Sequence, residues 1–393
     1  MESYIDICGE REGVKEGETG LTPFRFVRLK DRRIFMSGST YGNIYKVTTW
    51  GESHGAGIGA VVDGCPAGLE INEDFIQSFL DRRKPGQSKF TTQRSEADRV
   101  RIMSGVFEGK TLGTPISLVI ENTSQISKDY SNIQNVYRPG HADYGFDAKY
   151  GFRDYRGGGR SSGRETAGRV AAGAIAIKAL SEMGIEIMAY VKQIGDIAID
   201  YNNFDKEEIH RNSLCMPDSN AAEKAAAYLE ELIQSKDSSG ALVECVVTGV
   251  PAGIGEPVFD KLDARLAGAI MSIGAVKGVE IGDGFAVVNK KGSENNDPFY
   301  TENGVISKKT NHSGGILGGI SDGSDIVLRA AFKPTPSIYQ KQSTVNSDME
   351  NCDIEIVGRH DPIIAPRAVV VVESMVALSL FDLILINRTS RLF

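Results

Sequence analysis

Two histidines stand in sequence contexts that ordinary packing does not favour. His54 lies in Gly51–Gly55 (GESHG) and His141 lies in Arg138–Asp143 (RPGHAD), so glycine, proline and small polar residues surround both. Histidine has the side-chain pKa nearest to neutral pH, and a tight glycine turn can hold it in place to move protons. The chain has only five histidines, and two of them have this context. The pattern indicates acid–base chemistry.

Basic residues are clustered although the protein as a whole is acidic. The formal net charge of −8 argues against a general nucleic-acid binder. An acidic protein with local basic patches is suited to small anions such as phosphates or carboxylates, because arginine presents a fork of donors to them. The clustered residues are Arg82, Arg83, Lys84, Lys89, Arg94, Arg99 and Arg101, followed by Arg153, Arg156, Arg160, Arg164 and Arg169.

A glycine-rich turn before a helix predicts a more specific anion site. Gly157–Ser162 leads into a helix predicted over 162–180, in which Ser162 and Glu165 form a capping box. The free N–H groups at the start of a helix, together with Arg160, suit a phosphate. The alternative is a flexible linker before a core helix, which does not explain the arginines that crowd this point.

Three segments nearer the C-terminus are also suited to a ligand. Gly314–Gly319 (GGILGG) is almost free of side-chain bulk, which fits either a flat ligand beside the backbone or a tight sheet crossing. Lys333–Ser337 (KPTPS) offers a cation, hydroxyls and stiff backbone. In Gly358–Pro362 (GRHDP), Asp361 is interpreted as a general base or its relay, and a salt-bridged turn is the alternative. No spacing typical of a metal site or a P-loop is present. Gly55-x-Gly57-x-x-Ala60 formally matches a dinucleotide fingerprint, but residues 61–66 cannot form the helix that such a site requires.

The elements that must position these residues predict an α+β fold in one domain. Residues 1–35 are charged and lack periodicity, so they are interpreted as an N-terminal extension or a misassigned start, with the domain at 36–393. Strands and helices without regular β-α-β alternation favour α+β. Strands are predicted at 44–50, 100–107, 116–120, 242–250, 314–323 and 325–332, and helices at 73–83, 162–180, 221–234 and 258–270.

Two further stretches lead to weaker structural predictions. Residues 286–312 are rich in Asn, Lys, Ser and Gly and are predicted to form a long surface loop. Residues 368–386 are apolar except for Glu373 and Asp382, which favours a buried strand followed by a helix over a membrane span. The five scattered cysteines form no CxxC, which indicates a reducing, cytoplasmic setting without disulfides. No apolar N-terminal segment predicts a signal peptide.

The whole set of motifs resembles chorismate synthase sequences. The resemblance includes GRSSGRETAGRVAAGA at 159–174 and NHSGGILGGISDG at 311–323, and it is collinear from about Met36 to near Phe393. It implies a shikimate-pathway enzyme that converts 5-enolpyruvylshikimate 3-phosphate into chorismate and phosphate. The implied reaction is a 1,4-anti elimination that requires reduced FMN without net redox change. A β-α-β sandwich, with helices between two antiparallel sheets, and a homotetramer are also implied.

The resemblance further implies roles for individual residues. His54 would protonate the departing phosphate, and His141 would be the proton partner of the reduced flavin. Asp361 would assist removal of the ring proton, with Ser53 beside it in the relay. Substrate contacts would come from Arg83, Lys89 and Arg138. FMN contacts would come from Arg160, Ser161, Ser162, Gly274, Ala275, Gly318, Lys333, Pro334, Thr335, Pro336, Ser337 and Arg359.

Two positions depart from the family pattern. Lys89 stands where many members carry arginine, which removes a bidentate fork. Gly274 stands where asparagine is common, so a side-chain hydrogen bond to the flavin is absent there.

Two other functions stay open at this stage. A phosphate-sugar or nucleotide binding protein would use the same arginines but would not need His54 or His141. An ordinary flavin oxidoreductase would oxidise its substrate. Since no reductase domain is visible, an external flavin reductant is favoured over intrinsic NADPH-driven reduction.

Overall fold

The structure is a computed structural model that describes residues 38–86, 88–91, 97–123, 133–356 and 361–392. A compact unit begins at Ser39. The predicted extension at 1–35 lies outside the described residues, so its separation from a domain at 36–393 stays a prediction.

Antiparallel strands dominate the described part of the chain. In chain order they are β1 (Thr40–Tyr41), β2 (Lys46–Gly51), β3 (Gly57–Asp63), β4 (Val100–Ile102), β5 (Val106–Phe107), β6 (Lys110–Thr111), β7 (Ile116–Glu121), β8 (Glu186–Ile194), β9 (Ile197–Ala198), β10 (Ala241–Thr248), β11 (Val276–Ile281), β12 (Phe299–Glu302), β13 (Val305–Lys308), β14 (Ile316–Leu317), β15 (Ile320–Ser321), β16 (Ile326–Phe332), β17 (Lys341–Val345) and β18 (Asn351–Glu355).

The helices are distributed between these strands. They are α1 (Glu73–Arg83), α2 (Asp143–Tyr150), α3 (Thr166–Glu182), α4 (Glu208–Arg211), α5 (Ser219–Gln234), α6 (Leu262–Met271), α7 (Gly292–Asn295) and α8 (Ala365–Asn387). Short 3₁₀ helices lie at Gly159–Ser161, Gly163–Glu165, Tyr201–Asn203 and Gly284–Asn289.

Two five-stranded antiparallel sheets enclose the central helices. One sheet has the strand order β1-β2-β3-β7-β4, and the other has the order β11-β16-β10-β8-β9. Helix α3 packs on β2, β3 and β7 of the first sheet, α8 packs on β8 and β10 of the second, and the two helices pack on each other. This arrangement confirms the predicted α+β fold with helices between two antiparallel sheets.

Glycines on α3 allow the close packing of this central layer. A Cβ on Gly168 would lie 2.8 Å from the carbonyl oxygen of Gly59 in β3, and one on Gly173 would lie 2.4 Å from Cβ of Ser374 in α8. Real Cβ atoms do not approach so closely, so a larger side chain at either position would force the layers apart. Helix α3 is therefore buried and tightly packed by its neighbours.

The prediction of a strand followed by a helix over 368–386 is wrong, since this stretch belongs to the single helix α8. Its run of valines favours a strand locally, but the core between the sheets selects a helix. The two acidic interruptions are satisfied inside the protein: Glu373 accepts both ends of the Arg82 fork at 2.7 and 2.8 Å, and Asp382 accepts the Ile44 and Tyr45 N–H groups. By length and composition α8 could cross a membrane, but 94% of its most apolar window is buried in the protein, as in a core helix.

Three local predictions also need correction. The 286–312 loop contains α7 and the β12–β13 hairpin. Buried ion pairs of Lys308 with Asp297 and Asp322 anchor this hairpin. The glycine-rich 314–323 strand is a tight β14–β15 turn. Helix α3 begins at Thr166 after two 3₁₀ turns.

The predicted capping box at the start of α3 is also only half formed. Ser162 Oγ accepts the Arg164 N–H at 3.4 Å and so caps a 3₁₀ turn. Glu165 instead pairs with Arg169 at 2.7 Å, one helical turn further along.

Candidate active site

A cavity of about 670 Å³ lies where six separate segments meet, a volume within the usual ~300–1,000 Å³ range of small-molecule sites. The walls come from residues 83–85, 138–142, 157–169, 272–277, 332–337 and 361–371. Of the residues named from the sequence, the cavity is lined by Arg83, Arg138, His141, Arg160, Ser161, Ser162, Gly274, Ala275, Lys333, Thr335, Pro336, Ser337 and Asp361.

His54 and Ser53 both lie beside Gly157, a residue of the cavity wall. His54 is buried, and its Nδ1 lies 3.3 Å from Ser53 Oγ. Gly157, which lines the cavity, adopts φ +70°, and a Cβ there would lie 2.5 Å from Cε1 of His54. The predicted acid is therefore packed directly against the cavity wall.

His141 is held at both ring nitrogens. Nδ1 donates to the Pro139 carbonyl at 3.0 Å, and Nε2 lies 2.9 Å from Ser337 Oγ. Burial, followed by the charge of Arg138, lowers the pKa of His141 to about 4. The ring is therefore neutral at physiological pH, and a neutral imidazole is a proton acceptor.

Asp361 lies on the cavity wall beside Arg367, which was not predicted as a site residue from the sequence. Arg367 Nη1 donates to Asp361 Oδ2 at 2.6 Å, and Arg367 Nε donates to the Arg83 carbonyl at 3.1 Å. Arg367 thus links the carboxylate to the end of α1. The sequence signal for Arg367 was its position, six residues after Asp361 and near the start of α8.

Arg83 is a buried structural residue as well as part of the cavity wall. Its Nη2 lies 2.6 Å from Asp98 Oδ2, and its Nη1 donates to the Gly163 carbonyl at 3.3 Å. Arg164 binds the other oxygen of Asp98. Burial acts to raise the pKa of Asp98, but Arg83 and Arg164 outweigh it and hold that pKa below its ordinary value. One carboxylate therefore offsets one of the two positive charges.

Other arginines of the predicted anion site are neutralised in the same way. Arg138 makes a bidentate pair with Asp143 at 2.7 Å for both bonds, and Arg153 pairs with Asp147 at 2.7 Å. Arg156 pairs with Asp154 at 2.8 Å and does not line the cavity. Crowding of arginines in the sequence therefore overstated the free positive charge.

Arg160 ties the glycine loop to the first sheet. Its guanidinium donates to the Gly51 carbonyl at 3.1 Å and to Thr49 Oγ1 at 2.6 Å. The guanidinium of Arg160 is thus hydrogen-bonded to β2, although the residue also lines the cavity.

Two lysines supply positive charge to the cavity wall. Lys333 and Lys277 both line it, and burial together with the charge of Lys277 lowers the pKa of Lys333. Nearby, the Thr335 hydroxyl is buried without a hydrogen-bond partner in the described part of the chain. Ala275 has a left-handed φ of +74° and accepts the Lys333 N–H at 3.0 Å. Such backbone strain in a non-glycine residue is typical of functional sites.

Several residues named from the sequence are not brought to this cavity. Lys89 has a side chain 65% exposed, and its ammonium pairs with Glu230. Gly318 is exposed in the β14–β15 turn, and Pro334 is not on the cavity wall. Arg359 lies outside the described residues.

Three charged residues of the cavity wall were not predicted as site residues from the sequence: Glu165, Lys277 and Arg367. Glu165 was interpreted only as a helix cap. Lys277 lies three residues after Gly274 and two after Ala275, which was its one signal.

Comparison with known proteins agrees with this geometry. The family model described as chorismate synthase matches residues 45–385. A chorismate synthase of Lachnoclostridium phytofermentans is 65% identical over 91% of this chain and 98% of its own length. One from Agathobacter rectalis is 64% identical over 91% and 97%. A solved crystal structure of chorismate synthase superposes with a TM-score of 0.69 at 33% identity, covering 88% of this chain and 92% of that one. The chain belongs to the chorismate synthase family and is a lyase.

Proposed function

We propose that the protein eliminates phosphate from 5-enolpyruvylshikimate 3-phosphate, giving chorismate, with reduced FMN bound in the 670 Å³ cavity. The observation that carries the proposal is the meeting of His141 and Asp361 with several cations in one cavity. A polyanionic substrate with a phosphate leaving group needs both kinds of group. A homotetramer, a cytoplasmic location and an external flavin reductant are part of the same proposal.

The residues of the cavity fit a flavin mononucleotide. Lys333 is suited to an anionic tail, and so is the Thr335 hydroxyl, which has no hydrogen-bond partner among the described residues. The backbone at Gly274 and Ala275 leaves room for a flat ring. Ser161, Ser162, Pro336 and Ser337 would complete its walls. When bound, the reduced flavin supplies electron density to the breaking carbon–oxygen bond. Contacts from Gly318, Pro334 and Arg359 stay predictions.

The chain's own residues would divide the remaining work between proton transfer and anion binding. His54 would give a proton to the departing phosphate. Ser53, which was predicted in a relay with Asp361, would orient the His54 ring, because its Oγ lies 3.3 Å from Nδ1. His141, neutral and held at both nitrogens, would accept a proton at Nε2. Asp361, fixed by Arg367, would assist loss of the ring proton.

The substrate's anionic groups would be held by basic residues of the cavity wall. Arg164 lines the cavity and shares Asp98 with Arg83. Arg169, in the first turn of α3, and Lys277 also line the cavity. Arg83 and Arg138 would set the shape of the site through their ion pairs. A direct contact from Lys89 stays a prediction.

One assay tests the proposed function. The purified protein is incubated anaerobically with the enolpyruvyl substrate and dithionite-reduced FMN, and chorismate is followed by its absorbance. Chorismate and phosphate in equal amounts support the proposal. Binding of substrate without turnover would indicate a phosphate-binding protein. Net oxidation of the substrate would indicate an ordinary flavin oxidoreductase.

A further inference from the structure

Two segments that the sequence presents as separate motifs contact each other at three points. Ser337 Oγ lies 2.9 Å from His141 Nε2, and Lys333 Nζ donates to the Gly140 carbonyl at 2.6 Å. Gly140 adopts φ +70°, and a Cβ there would lie 2.6 Å from Cβ of Pro336. The turn that carries His141 is therefore clamped by Lys333–Ser337 through a hydrogen bond to the ring, one to the backbone, and a steric contact.

The hydrogen bonds define which nitrogen of His141 carries the proton. A carbonyl oxygen can only accept, so the bond to Pro139 requires N–H at Nδ1. In the neutral ring Nε2 then has a lone pair, and the Ser337 hydroxyl must be the donor. The charged groups that act on the ring are Arg138, Asp143 and Lys333, and burial with the Arg138 charge keeps the ring neutral.

We propose that Ser337 is a positioning residue that acts through His141, holding it as the Nδ1–H tautomer with Nε2 available as a proton acceptor. Lys333 supports this by fixing the backbone of the turn. Uptake of a proton forms the Nε2–H bond while the Ser337 hydroxyl rotates to accept it, so the contact survives either charge state. The expected effect of Ser337 on turnover rests on the proposed function. The positioning role is additional to any contact that Lys333–Ser337 makes with the flavin.

A double-mutant cycle separates this role from simple flavin binding. Ser337→Ala should lower kcat roughly tenfold, as loss of one neutral hydrogen bond would, and the loss should persist when FMN is saturating. Ser337→Thr, which keeps the hydroxyl, should restore kcat. In a His141→Ala background, Ser337→Ala should cost nothing more, because residues that act as a unit are not additive.

A second arm uses the protein without flavin or substrate. Diethyl pyrocarbonate acylates the unprotonated imidazole nitrogen, and peptide mapping by mass spectrometry gives the rate at His141. Ser337→Ala removes the donor from Nε2, so His141 should be labelled several times faster than in the wild type or in Ser337→Thr. Thr335→Val is the matched control, because that hydroxyl has no partner in the described part of the chain. It should leave the labelling of His141 unchanged.

Either arm can overturn the proposal. Equal losses of kcat from Ser337→Ala with and without His141, or a weakened FMN affinity that accounts for the whole loss, would show that Ser337 acts on the flavin. Unchanged labelling of His141 in Ser337→Ala would show that the contact is not made. If the wild-type protein formed no chorismate, the proposed function would fail, and the labelling arm would still decide the contact.

Discussion

The ring of His54 is packed against Gly157, where a Cβ would lie 2.5 Å from Cε1 of the histidine. Gly157 has φ +70°, so the position excludes a side chain both by backbone conformation and by lack of space. Gly157 therefore has a structural role, because it leaves room for the His54 ring.

Substitution of Gly157 tests this contact. Gly157→Ala should displace His54 and lower kcat, approaching the ~10²–10⁴-fold loss that His54→Ala should cause if His54 is the acid. Gly151→Ala is the matched control, because Gly151 has φ +85° but open space around its Cβ position. The control should show the backbone strain in its melting temperature while kcat is retained. Full turnover in His54→Ala with substrate still bound would remove His54 from the mechanism.

Arg83 is expected to affect stability more than substrate affinity. Arg83→Met leaves Asp98 buried with one partner fewer, and breaking a buried pair typically costs about 3–5 kcal/mol of unfolding free energy. Lys89→Ala, at an exposed pair with Glu230, should leave the unfolding free energy nearly unchanged. Denaturant titrations of the two variants make the comparison. A normally stable Arg83→Met with a strongly raised KM would restore Arg83 as a direct substrate contact.

Arg367 should act through Asp361. Arg367→Met frees the carboxylate from its 2.6 Å partner, so kcat should fall about tenfold or more, as loss of a hydrogen bond to a charged group would. Asp361→Asn should also lower kcat, and the double variant should be no worse than the poorer single variant. Arg388→Met, at the exposed end of the same helix, is the control. Additive losses would show that Arg367 binds a ligand independently.

The low pKa of His141 predicts a stability that depends on pH. The unfolded ring titrates near 6.5 and the folded ring near 4, so between these values the unfolded chain holds a proton that the folded chain lacks. The unfolding free energy should therefore fall as the pH is lowered from 6.5 towards 4, and this contribution should be absent from His141→Asn. Denaturant titrations of flavin-free protein across this range measure it. Parallel curves for the two proteins would contradict the assignment.

Local patterns in the sequence predicted much of the fold. Helix α1 agrees with its prediction of 73–83 because its signals are local: Asn72 Oδ1 accepts the Phe75 N–H at 2.8 Å, and an apolar face packs inward. The first part of α8 was predicted as a strand because its valines favour a strand until the sheets around it are in place. The motifs around His141 and Lys333 pointed to one site, and the structure brings them into contact.

The charge balance of the site could not be predicted in the same way. Asp98 neutralises part of Arg83 and Arg164 across 15 and 66 residues of sequence, and no motif encodes that pairing. Lys277 and Arg367 reach the cavity from a strand and a helix whose positions depend on the whole sandwich. Tertiary contacts of this kind decide which arginines remain available to a ligand.

Truncation tests the prediction for residues 1–35. They are rich in charged residues and show neither helical nor strand periodicity, so a chain that begins at Met36 should keep its melting temperature and its activity. A large fall in melting temperature, or a change of oligomeric state in analytical ultracentrifugation, would show that the segment packs on the folded unit.

The number of chorismate molecules formed per reduced FMN tests the central claim most directly. Elimination of phosphate with loss of a ring proton leaves substrate and product at the same oxidation level, so the flavin should be needed without being consumed. Under strict anaerobiosis, a fixed amount of reduced FMN and no further reductant should support many turnovers, with the flavin still reduced when the substrate is exhausted. Consumption of one reductant for each chorismate formed would contradict this account.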